Sequence, residues 1–290
     1  LPHKNAAATR RVGLDRATGD WIAFLDADDS WLPTKLERQL EFIERHPEVR
    51  LITCDGAYVS AEGVIRESWL SDYFDPVEER VGDLFTPLLE RCFILLSATM
   101  VERRAYDEVG GLDVERAYSY DYDLWLRVLA RHPGALLPDR LTHYWFSSGA
   151  LSRNIEARYR DDLALLRKVE SGAIPAAPHQ RRRAAERAAA TEFDLAVILM
   201  RTDRFAEATA RLPRRARRAS ADRARPAHRC DHPGRRDRRV RQRRHRRSPR
   251  LLSSARSPRG RRRRGARHPT RGSARRRAAR AHGHRRLSTF

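Results

Sequence analysis

Three aspartates follow directly on an apolar run near the start of the chain. The apolar residues span 21–25, and the acids are Asp26, Asp28 and Asp29. Carboxylates so close together repel one another unless a cation or several hydrogen-bond donors lie between them. A hard divalent ion prefers oxygen ligands and is commonly bound together with a phosphate group. The spacing therefore predicts a site for Mg²⁺ or Mn²⁺ and a phosphorylated ligand.

The elements before these acids predict how they are positioned. An unbroken apolar run such as 21–25 is typical of a short strand that is buried on both faces. The Ala-rich segment 5–17 predicts a helix, with Asn5 as its N-cap. Acids at the end of a buried strand lie at the carboxyl edge of the sheet, which is where open α/β folds bind their ligands.

A second helix and a second strand follow the acids. A stripe of apolar residues predicts a helix over 33–45, and the spacing of Thr34 and Glu37 predicts a capping box at its start. Residues 49–59 predict the next strand. This strand, helix, strand order predicts a right-handed parallel crossover and an α/β sheet.

The sequence up to residue 210 predicts further short elements. The irregular segment 60–80 is interpreted as an active-site or acceptor loop. Apolar periodicity predicts helices over 81–92, 102–109, 120–132, 155–170 and 179–201. It predicts short strands over 96–101, 135–137 and 141–146.

The formal charge of +22 is distributed unevenly. Residues 1–210 carry a net charge of −7, whereas residues 211–290 carry +29, from 32 arginines, no lysine and 3 aspartates. The second segment has too little apolar surface to offset the entropy of ordering, so we expect 211–290 to be disordered. Arginine without lysine is also what a GC-rich coding sequence gives in the wrong frame. We hypothesise that the native frame is lost near residues 205–215.

The cysteine pattern indicates the redox state of the cellular compartment. Cys54, Cys92 and Cys230 show no paired spacing, which argues against a disulfide framework and against a zinc site. Sparse thiols indicate a reducing compartment, and we expect the cytoplasm. The sequence has no apolar run near the length of about 20 residues that a membrane span needs, and no signal peptide is recognisable.

The block from Asn5 to Leu36 resembles the family 2 glycosyltransferases, a large group of inverting enzymes with the GT-A fold. The family pattern has an Ala-rich helix with Arg and Gly, then Ala-x-Gly, an apolar strand, Asp-Ala-Asp-Asp, Trp, Pro and Lys-Leu. The matching residues here are Arg10, Gly13, Ala17-Thr18-Gly19, Asp26-Ala27-Asp28-Asp29, Trp31, Pro33 and Lys35-Leu36.

A second block extends the resemblance to about residues 1–155. Gly110-Gly111-Leu112-Asp113 is similar to the family's Gly-Gly-Phe-Asp segment. Asp121-Tyr122-Asp123-Leu124-Trp125-Leu126-Arg127 is similar to its Glu-Asp-Tyr-Asp-Leu-Trp-Leu-Arg segment. Two blocks in the right order and at the right spacing are far more specific than a lone Asp-x-Asp.

The resemblance implies three parts. Residues 1–154 would be an α/β domain of the GT-A type, a Rossmann-like mixed sheet with flanking helices. Residues 155–210 would be a helical extension, and 211–290 the basic tail. The family's first strand would precede Leu1, so we expect the domain to lack that strand and the chain to be inactive on its own.

The resemblance also implies a reaction and its residues. A sugar would move from a nucleotide-diphosphate donor to a glycan or lipid-linked acceptor, with inversion. Asp26, on the ribose side, and Arg10 would bind the donor. Asp28 would bind both the donor and Mg²⁺ or Mn²⁺, which would stabilise the departing diphosphate. Asp121 would be the general base that takes the acceptor proton.

The chain departs from the family pattern at three places. Arg11 stands where the family has Asn, and Tyr120 stands where it has Glu. The segment 144–147 lacks the Arg and His that are usual there. We therefore expect one cationic contact to the donor phosphates to be missing from that segment.

Structural roles stay open for several of these residues. The acids at 26–29 also suit a solvated turn before a helix, and Asp121 also suits the N-terminus of a helix. Arg10 also suits a helix surface. Asp123 is assigned a structural role. We expect three aromatic residues to belong to the core, namely Trp31, Trp125 and Trp145.

Three function classes compete. The first is a glycosyltransferase for cell-surface polysaccharide, peripherally associated with the inner face of the plasma membrane. The second is a nucleic-acid-binding protein that uses the Arg-rich tail, whose binding would be unspecific because Phe290 is its only aromatic residue. The third, a nucleotidyltransferase, lacks the Gly-rich phosphate loop with lysine.

Overall fold

The computed structural model describes residues 5–145 and 154–211, and the backbone of Leu287–Thr289. Within these residues the strands are β1 (Trp21–Ala23), β2 (Ser30–Trp31), β3 (Leu51–Ser60), β4 (Gly63–Arg66), β5 (Arg80–Gly82), β6 (Met100–Glu102), β7 (Gly134–Trp145) and β8 (Leu287–Thr289). The helices are α1 (Ala6–Leu14), α2 (Lys35–Arg45), α3 (Phe85–Glu90), α4 (Arg103–Glu108), α5 (Tyr120–Leu129), α6 (Ile155–Ser171), α7 (Pro178–Arg201) and α8 (Phe205–Arg211). Two 3₁₀ turns span Leu70–Asp72 and Leu96–Ala98.

The strands form one mixed sheet in the order β2-β7-β3-β6-β1-β8, with β4 paired to β3 and β5 paired to β7. Strand β6 lies between β1 and β3 and runs antiparallel to both. Strands β1 and β3 are therefore parallel to each other, as the strand, helix, strand order predicts. Strand β7 is parallel to β3 and antiparallel to β2. The predicted α/β fold class is confirmed.

Local signals explain where the first two helices begin. The Asn5 side chain accepts a hydrogen bond from the Ala8 amide, so the predicted N-cap of α1 is confirmed. The predicted capping box at α2 is wrong. Thr34 takes helical backbone angles (φ −90°, ψ −1°), and its side chain makes no capping hydrogen bond. An N-cap needs extended backbone to turn its hydroxyl toward the first amides.

Strands β6 and β7 differ from their predicted extents. The strand predicted over 96–101 begins as a 3₁₀ turn, and only Met100–Glu102 pair in the sheet. The two strands predicted over 135–137 and 141–146 are one strand, β7. The register against β3 shifts where Cys54 pairs with Leu137 and the next residue pairs with Arg140, so a bulge absorbs the Pro between them.

Both faces of β1 are buried, as its apolar sequence predicts. Ile22 and Phe24 point into a core that includes Trp125 of α5. Trp21 and Ala23 point into a second core with apolar residues of α2. Side chains that alternate between two cores fix the register of this strand, because a slip of one residue would exchange the two sets.

Helices α6 and α7 agree with the predicted helices over 155–170 and 179–201. Their apolar stripes join the same core as Phe24 and Trp125, through Leu165, Leu166, Val169, Ala184 and Ala188. The helical extension is thus packed against the α/β part of the chain. None of the described helices has the length and hydrophobicity that crossing a membrane requires.

Two expectations need correction. Trp145 is 39 % exposed at the end of β7, although it was expected in the core; Trp125 is fully buried as expected. The predicted disorder of 211–290 falls almost wholly outside the described residues. It is wrong for Leu287–Thr289, which form β8 and pair in parallel with β1 from Trp21 to Ala23.

Candidate active site

The three acids lie in a turn that leaves the sheet at the carboxyl end of β1. The Phe24 amide donates to the Thr99 carbonyl at 3.3 Å and marks the last link to the sheet. The Asp29 amide then donates to the Asp26 carbonyl at 3.0 Å and closes the turn. One carboxylate oxygen each from Asp26, Asp28 and Asp29 lies within 4.8 Å of the others. The turn thus gathers the acids at one point.

Ser97, in the 3₁₀ turn that precedes β6, forms hydrogen bonds with this turn. Its hydroxyl accepts from the Asp26 amide at 3.0 Å and donates to Asp29 Oδ2 at 2.5 Å. The Trp145 amide donates to the other Asp29 oxygen at 3.0 Å. Burial nonetheless raises the pKa of Asp29, although both hydrogen bonds oppose the shift. Asp29 is therefore tied into the protein, whereas Asp28 is exposed.

Arg10 joins the acidic turn to the second sequence block. Its guanidinium forms an ion pair with Asp26 and donates to the hydroxyl of Tyr120. The same guanidinium lies 5.2 Å from the centre of the Tyr120 ring. Arg10, for which a helix-surface position stays open in the sequence, has a side chain that is 20 % exposed and paired with Asp26. Tyr120, where the family has Glu, supplies the contact on the α5 side.

Asp121 follows Tyr120 in the first turn of α5. Its Oδ1 accepts from the Tyr122 amide at 2.8 Å. Burial raises the pKa of Asp121, while the charges of Arg10 and Arg158 partly offset the shift. A carboxylate that holds its proton more tightly than usual is a better base when it is ionised. The chain of contacts Asp26–Arg10–Tyr120 thus ends beside a carboxylate suited to proton transfer.

The acidic turn has the donor set for a hard divalent ion. Three carboxylates offer oxygen ligands, and Arg10 provides a single cation against them. The residues present fit Mg²⁺ or Mn²⁺, with Asp28 as the most accessible ligand and Asp26 and Asp29 beside it. Asp29 was not among the predicted ligands. Its place in the cluster follows from the turn that the Asp26 carbonyl closes.

Comparison with known proteins identifies this part of the chain. Residues 2–108 match the model of the family described as Glycosyl transferase family 2. These residues form a family 2 glycosyltransferase domain. The predicted resemblance is confirmed.

Two curated relatives of this part of the chain are named as glycosyltransferases of bacteria. UDP-Glc:α-D-GlcNAc-diphosphoundecaprenol β-1,3-glucosyltransferase WfaP of Escherichia coli is 30 % identical over 152 residues, which are 52 % of this chain and 55 % of that protein. Amylovoran biosynthesis glycosyltransferase AmsE of Erwinia amylovora is 29 % identical over 131 residues, which are 45 % of this chain and 46 % of that protein. The chain spans about half the length of the curated relatives it matches.

A solved structure supports the fold. The crystal structure of S. aureus TarS 1–349 in complex with UDP-GlcNAc aligns with a TM-score of 0.52 and 13 % identity, over 73 % of this chain and 63 % of that one. At this identity the likeness concerns the fold alone. The mixed sheet with flanking helices is therefore of the glycosyltransferase type.

The second sequence block, which lies beyond the residues matched by the family model, is a structural unit built around Arg127. Its guanidinium donates to the carbonyls of Val109 at 2.5 Å and Gly111 at 2.8 Å. It also forms an ion pair at 2.5 Å with Asp123, whose side chain is 1 % exposed. Asp123 thus has the structural role expected of it. The unit ties the Gly-Gly turn to the helix that carries Asp121.

A buried polar chain supports the acidic turn from behind. The Lys35 ammonium donates to Gln39 at 2.6 Å, and Gln39 donates to the Ala98 carbonyl at 2.9 Å. Trp31 donates to the neighbouring Ser97 carbonyl at 2.6 Å, and Lys35 lies 4.3 Å from the centre of its ring. Burial lowers the pKa of Lys35 to about 8. The Trp and Lys of the first block therefore fix the 3₁₀ turn that presents Ser97.

Sequence reasoning missed Ser97, although a weak signal was present. It is a small polar residue inside the apolar run 93–98. A buried hydroxyl needs a partner, and that requirement indicates a specific contact. The partner could not be named from the sequence, because Asp29 lies 68 positions away.

Proposed function

We propose that this chain carries the donor-binding part of a metal-dependent glycosyltransferase that builds cell-surface polysaccharide. It would move a hexosyl group, with inversion, from a nucleotide-diphosphate sugar to a glycan or lipid-linked acceptor. The observation that carries this proposal is the linkage of two acidic centres. Arg10 connects the turn of Asp26 and Asp28 with the helix start that bears Asp121.

The donor is proposed to be a UDP-sugar. The name of the E. coli relative states a UDP-glucose donor and a diphosphoundecaprenol acceptor, and that relative is 30 % identical here. An ionised diphosphate needs cationic partners. Arg10 is placed to provide one of them once it is released from Asp26, and Asp26 would then be free to accept hydrogen bonds from the ribose.

The acidic turn would hold the metal through Asp28, with Asp26 and Asp29 beside it. A bound Mg²⁺ or Mn²⁺ would supply the positive charge that stabilises the leaving diphosphate. Ser97 keeps the turn in the required shape, since it bonds to both ends of the segment 26–29. The protein would thus orient the metal ligands before the donor binds.

Asp121 would take the proton of the acceptor hydroxyl. As the hydroxyl oxygen attacks the anomeric carbon, that proton passes to the carboxylate. The bond between the anomeric carbon and the diphosphate oxygen breaks, and its electron pair leaves with the diphosphate. A single displacement of this kind inverts the anomeric configuration. Burial favours the protonated product of this step, because it raises the pKa of Asp121.

A lipid-linked acceptor would place the protein at the membrane. We propose a cytoplasmic location with peripheral association at the inner face of the plasma membrane. The basic segment 211–290 suits anionic surfaces, including lipid headgroups and, without sequence preference, nucleic acid. Nucleic-acid binding is tested by loading the full chain on DNA cellulose and raising the salt concentration. Release at low salt denotes unspecific binding to DNA phosphates.

Calorimetric titration tests the metal and donor sites. The full chain is titrated with Mn²⁺ and then, with Mn²⁺ present, with UDP-glucose and UDP-N-acetylglucosamine. We expect donor binding that depends on Mn²⁺, and a loss of Mn²⁺ affinity of at least about tenfold in Asp28→Asn. The matched control is Asp107→Asn, an exposed aspartate on α4 that pairs with Arg103. Equal Mn²⁺ affinity in the two variants would contradict the metal site.

A further inference from the structure

A part-buried hydrogen bond joins helix α6 to the residue that precedes α5. The Ser119 hydroxyl donates to Asp162 Oδ1 at 2.6 Å. Ser119 immediately precedes α5 and stands two positions before Asp121. Asp162 comes from the second turn of α6, more than forty positions later in the sequence. The contact therefore joins the helical extension to the proposed general base.

The backbone of Ser119 makes this contact informative. Its φ is 47°, in the left-handed region that serine seldom adopts. A serine before a helix usually accepts a hydrogen bond from an amide of the first turn. The Ser119 side chain makes no such capping bond and instead donates outward to Asp162. The hydroxyl of Ser119 is thus held by Asp162 of α6 and not by an amide of the first turn of α5.

The consequence of this arrangement reaches Asp121. Left-handed backbone at Ser119 sets the direction in which Tyr120 and Asp121 enter the helix. Tyr120 must meet Arg10, and the Asp121 carboxylate must stay oriented on its own helix start. Release of Ser119 would let the first turn of α5 relax, because nothing else is found to bond its hydroxyl among the described residues.

Other charged groups surround the two carboxylates. Asp121 faces Arg10 of α1, Arg158 of α6 and the Cys92 thiol, and Asp162 faces Arg158 and Asp161 of its own helix. Burial raises the pKa of Asp162 to about 6, and the nearby charge of Asp121 adds to the shift. The charge of Asp121 thus raises the pKa of Asp162, whereas burial is the main cause of the raised pKa of Asp121.

We propose that Asp162 is a positioning residue for Asp121, acting through its hydrogen bond with Ser119. The inference rests on the proposed function for one point, namely that Asp121 is the general base. Asp162 lies in α6, outside both sequence blocks, so the inference gives the helical extension a role in the active site. The acceptor hydroxyl would meet a base whose orientation is set from α6.

Two substitutions separate this role from simple packing. Asp162→Asn keeps an oxygen that accepts from Ser119 but removes the charge. Asp162→Ala removes both. The control is Asp194→Asn, an aspartate on α7 that is 44 % exposed. All three are made in the full chain, and circular dichroism establishes that each is folded.

The first measurement needs no catalysis. Carbon-13 titration of the side-chain carboxyl groups, with Asp121→Asn for assignment, follows the midpoint of Asp121. We expect the midpoint of Asp121 to fall toward the ordinary range of a carboxyl group in Asp162→Ala, because a relaxed first turn of α5 exposes the Asp121 carboxyl to water. The midpoint should stay in place in Asp162→Asn, which keeps an acceptor for Ser119, and in Asp194→Asn. An unchanged Asp121 midpoint in Asp162→Ala overturns the inference, whether or not the chain transfers sugar.

The second measurement tests positioning. UDP release from UDP-glucose with Mn²⁺ should fall at least tenfold in kcat for Asp162→Ala, with little change in KM. Asp162→Asn should recover most of that kcat, because it keeps an acceptor for the Ser119 hydroxyl. Equal losses of kcat in both variants denote mere structural support and overturn the proposal. A wild-type chain without activity is the outcome expected if the missing first strand is required, and the midpoint shift in Asp162→Ala then decides the inference by itself.

Discussion

Arg10 of α1 and Asp26 of the acidic turn form an ion pair within the first sequence block. The side chains are 20 % and 26 % exposed, so solvent only partly screens the pair. Arg10 is shared, because it also donates to Tyr120 beside Asp121. Arg10 pairs with Asp26, the carboxylate that the ribose of the proposed donor would contact. Under the proposed function, donor binding would require Arg10 to exchange Asp26 for the donor diphosphate.

Removal of this cation should affect metal and donor in opposite directions. In Arg10→Met the acids lose their nearest positive charge, and we expect Mn²⁺ to bind about tenfold more tightly. UDP-glucose should bind at least tenfold more weakly in the presence of Mn²⁺, because the diphosphate loses a partner. Calorimetry measures both affinities.

Arg11→Met is the matched control for this prediction. Arg11 is on the same helix and pairs with Asp15, whose side chain is 57 % exposed. Its loss should change neither affinity beyond about twofold. If Arg10→Met weakens Mn²⁺ binding instead, the arginine shapes the acidic turn rather than competing with the ion.

Ser97 provides a second test of the acidic turn. Ser97→Ala leaves the Asp26 amide and one Asp29 oxygen without their partner in a buried setting. We expect the free energy of unfolding to fall by about 2 kcal/mol. Mn²⁺ affinity should fall as well, since the ligands are no longer held together. Urea denaturation and calorimetry measure the two effects.

An exposed serine provides the reference for that loss. Ser171 at the end of α6 donates only to the Lys168 carbonyl at 3.2 Å. Its replacement by alanine should change stability by less than about 0.5 kcal/mol. A similar small change in Ser97→Ala would mean that water replaces the hydroxyl and that the turn is held by its own backbone.

The sequence predicts those parts of the fold that local patterns encode. Buried β1 follows from its unbroken apolar run, and α1, α5, α6 and α7 follow from helical periodicity and capping. The clustering of Asp26, Asp28 and Asp29 also follows, because they share one turn. These features depend on neighbours within a few positions.

Features that depend on distant partners could not be predicted. The insertion of β6 between β1 and β3 is a property of the whole sheet. The partners of Ser97 and Asp162 could not be named from the sequence, because each lies more than forty positions away. Strand β7 was predicted as two pieces, because proline within it signals a break, whereas the bulge against β3 accommodates that residue.

The Gly-Gly turn before α5 offers a matched pair of substitutions. Gly110 and Gly111 both have positive φ, at 81° and 70°. A Cβ on Gly110 would meet nothing within 4 Å, whereas one on Gly111 would lie 2.7 Å from the Tyr106 hydroxyl. Gly110→Ala should therefore cost about 1 kcal/mol from backbone strain alone. Gly111→Ala should cost about 2 kcal/mol more, from overpacking.

A double-mutant cycle identifies the cause of that difference. Tyr106→Leu removes the ring atoms that the new methyl group would meet, so Gly111→Ala should become less costly in this background. Gly110→Ala should cost the same in both backgrounds. Unfolding in urea gives all the values. Equal costs for the two glycine substitutions in the wild-type background would show that the Tyr106 ring moves aside without penalty.

Lys35 should make stability depend on pH in an unusual direction. Burial lowers its pKa in the folded chain from 10.5 to about 8, so the unfolded chain binds the proton more tightly. The contribution of Lys35 to stability must therefore rise with pH between these two values, whereas the buried thiols of Cys54 and Cys92, whose pKa values burial raises, act in the opposite direction. From pH 7 to pH 9.5 we expect a contribution of about 2 kcal/mol to the free energy of unfolding. The range stops below pH 10, because burial raises the pKa of Tyr120 to about 12 and its effect has the opposite sign.

Comparison with Lys35→Met isolates this contribution. The difference in unfolding free energy between wild type and Lys35→Met should change in favour of the wild type as pH rises from 7 to 9.5. Lys168→Met, at a lysine whose side chain is 44 % exposed, should give a constant difference over that range. A flat difference for Lys35→Met would mean that the ammonium stays charged, held by Gln39 and the Trp31 ring. Lys35 would then support the Ser97 turn as a permanent cation rather than as a neutral amine above pH 8.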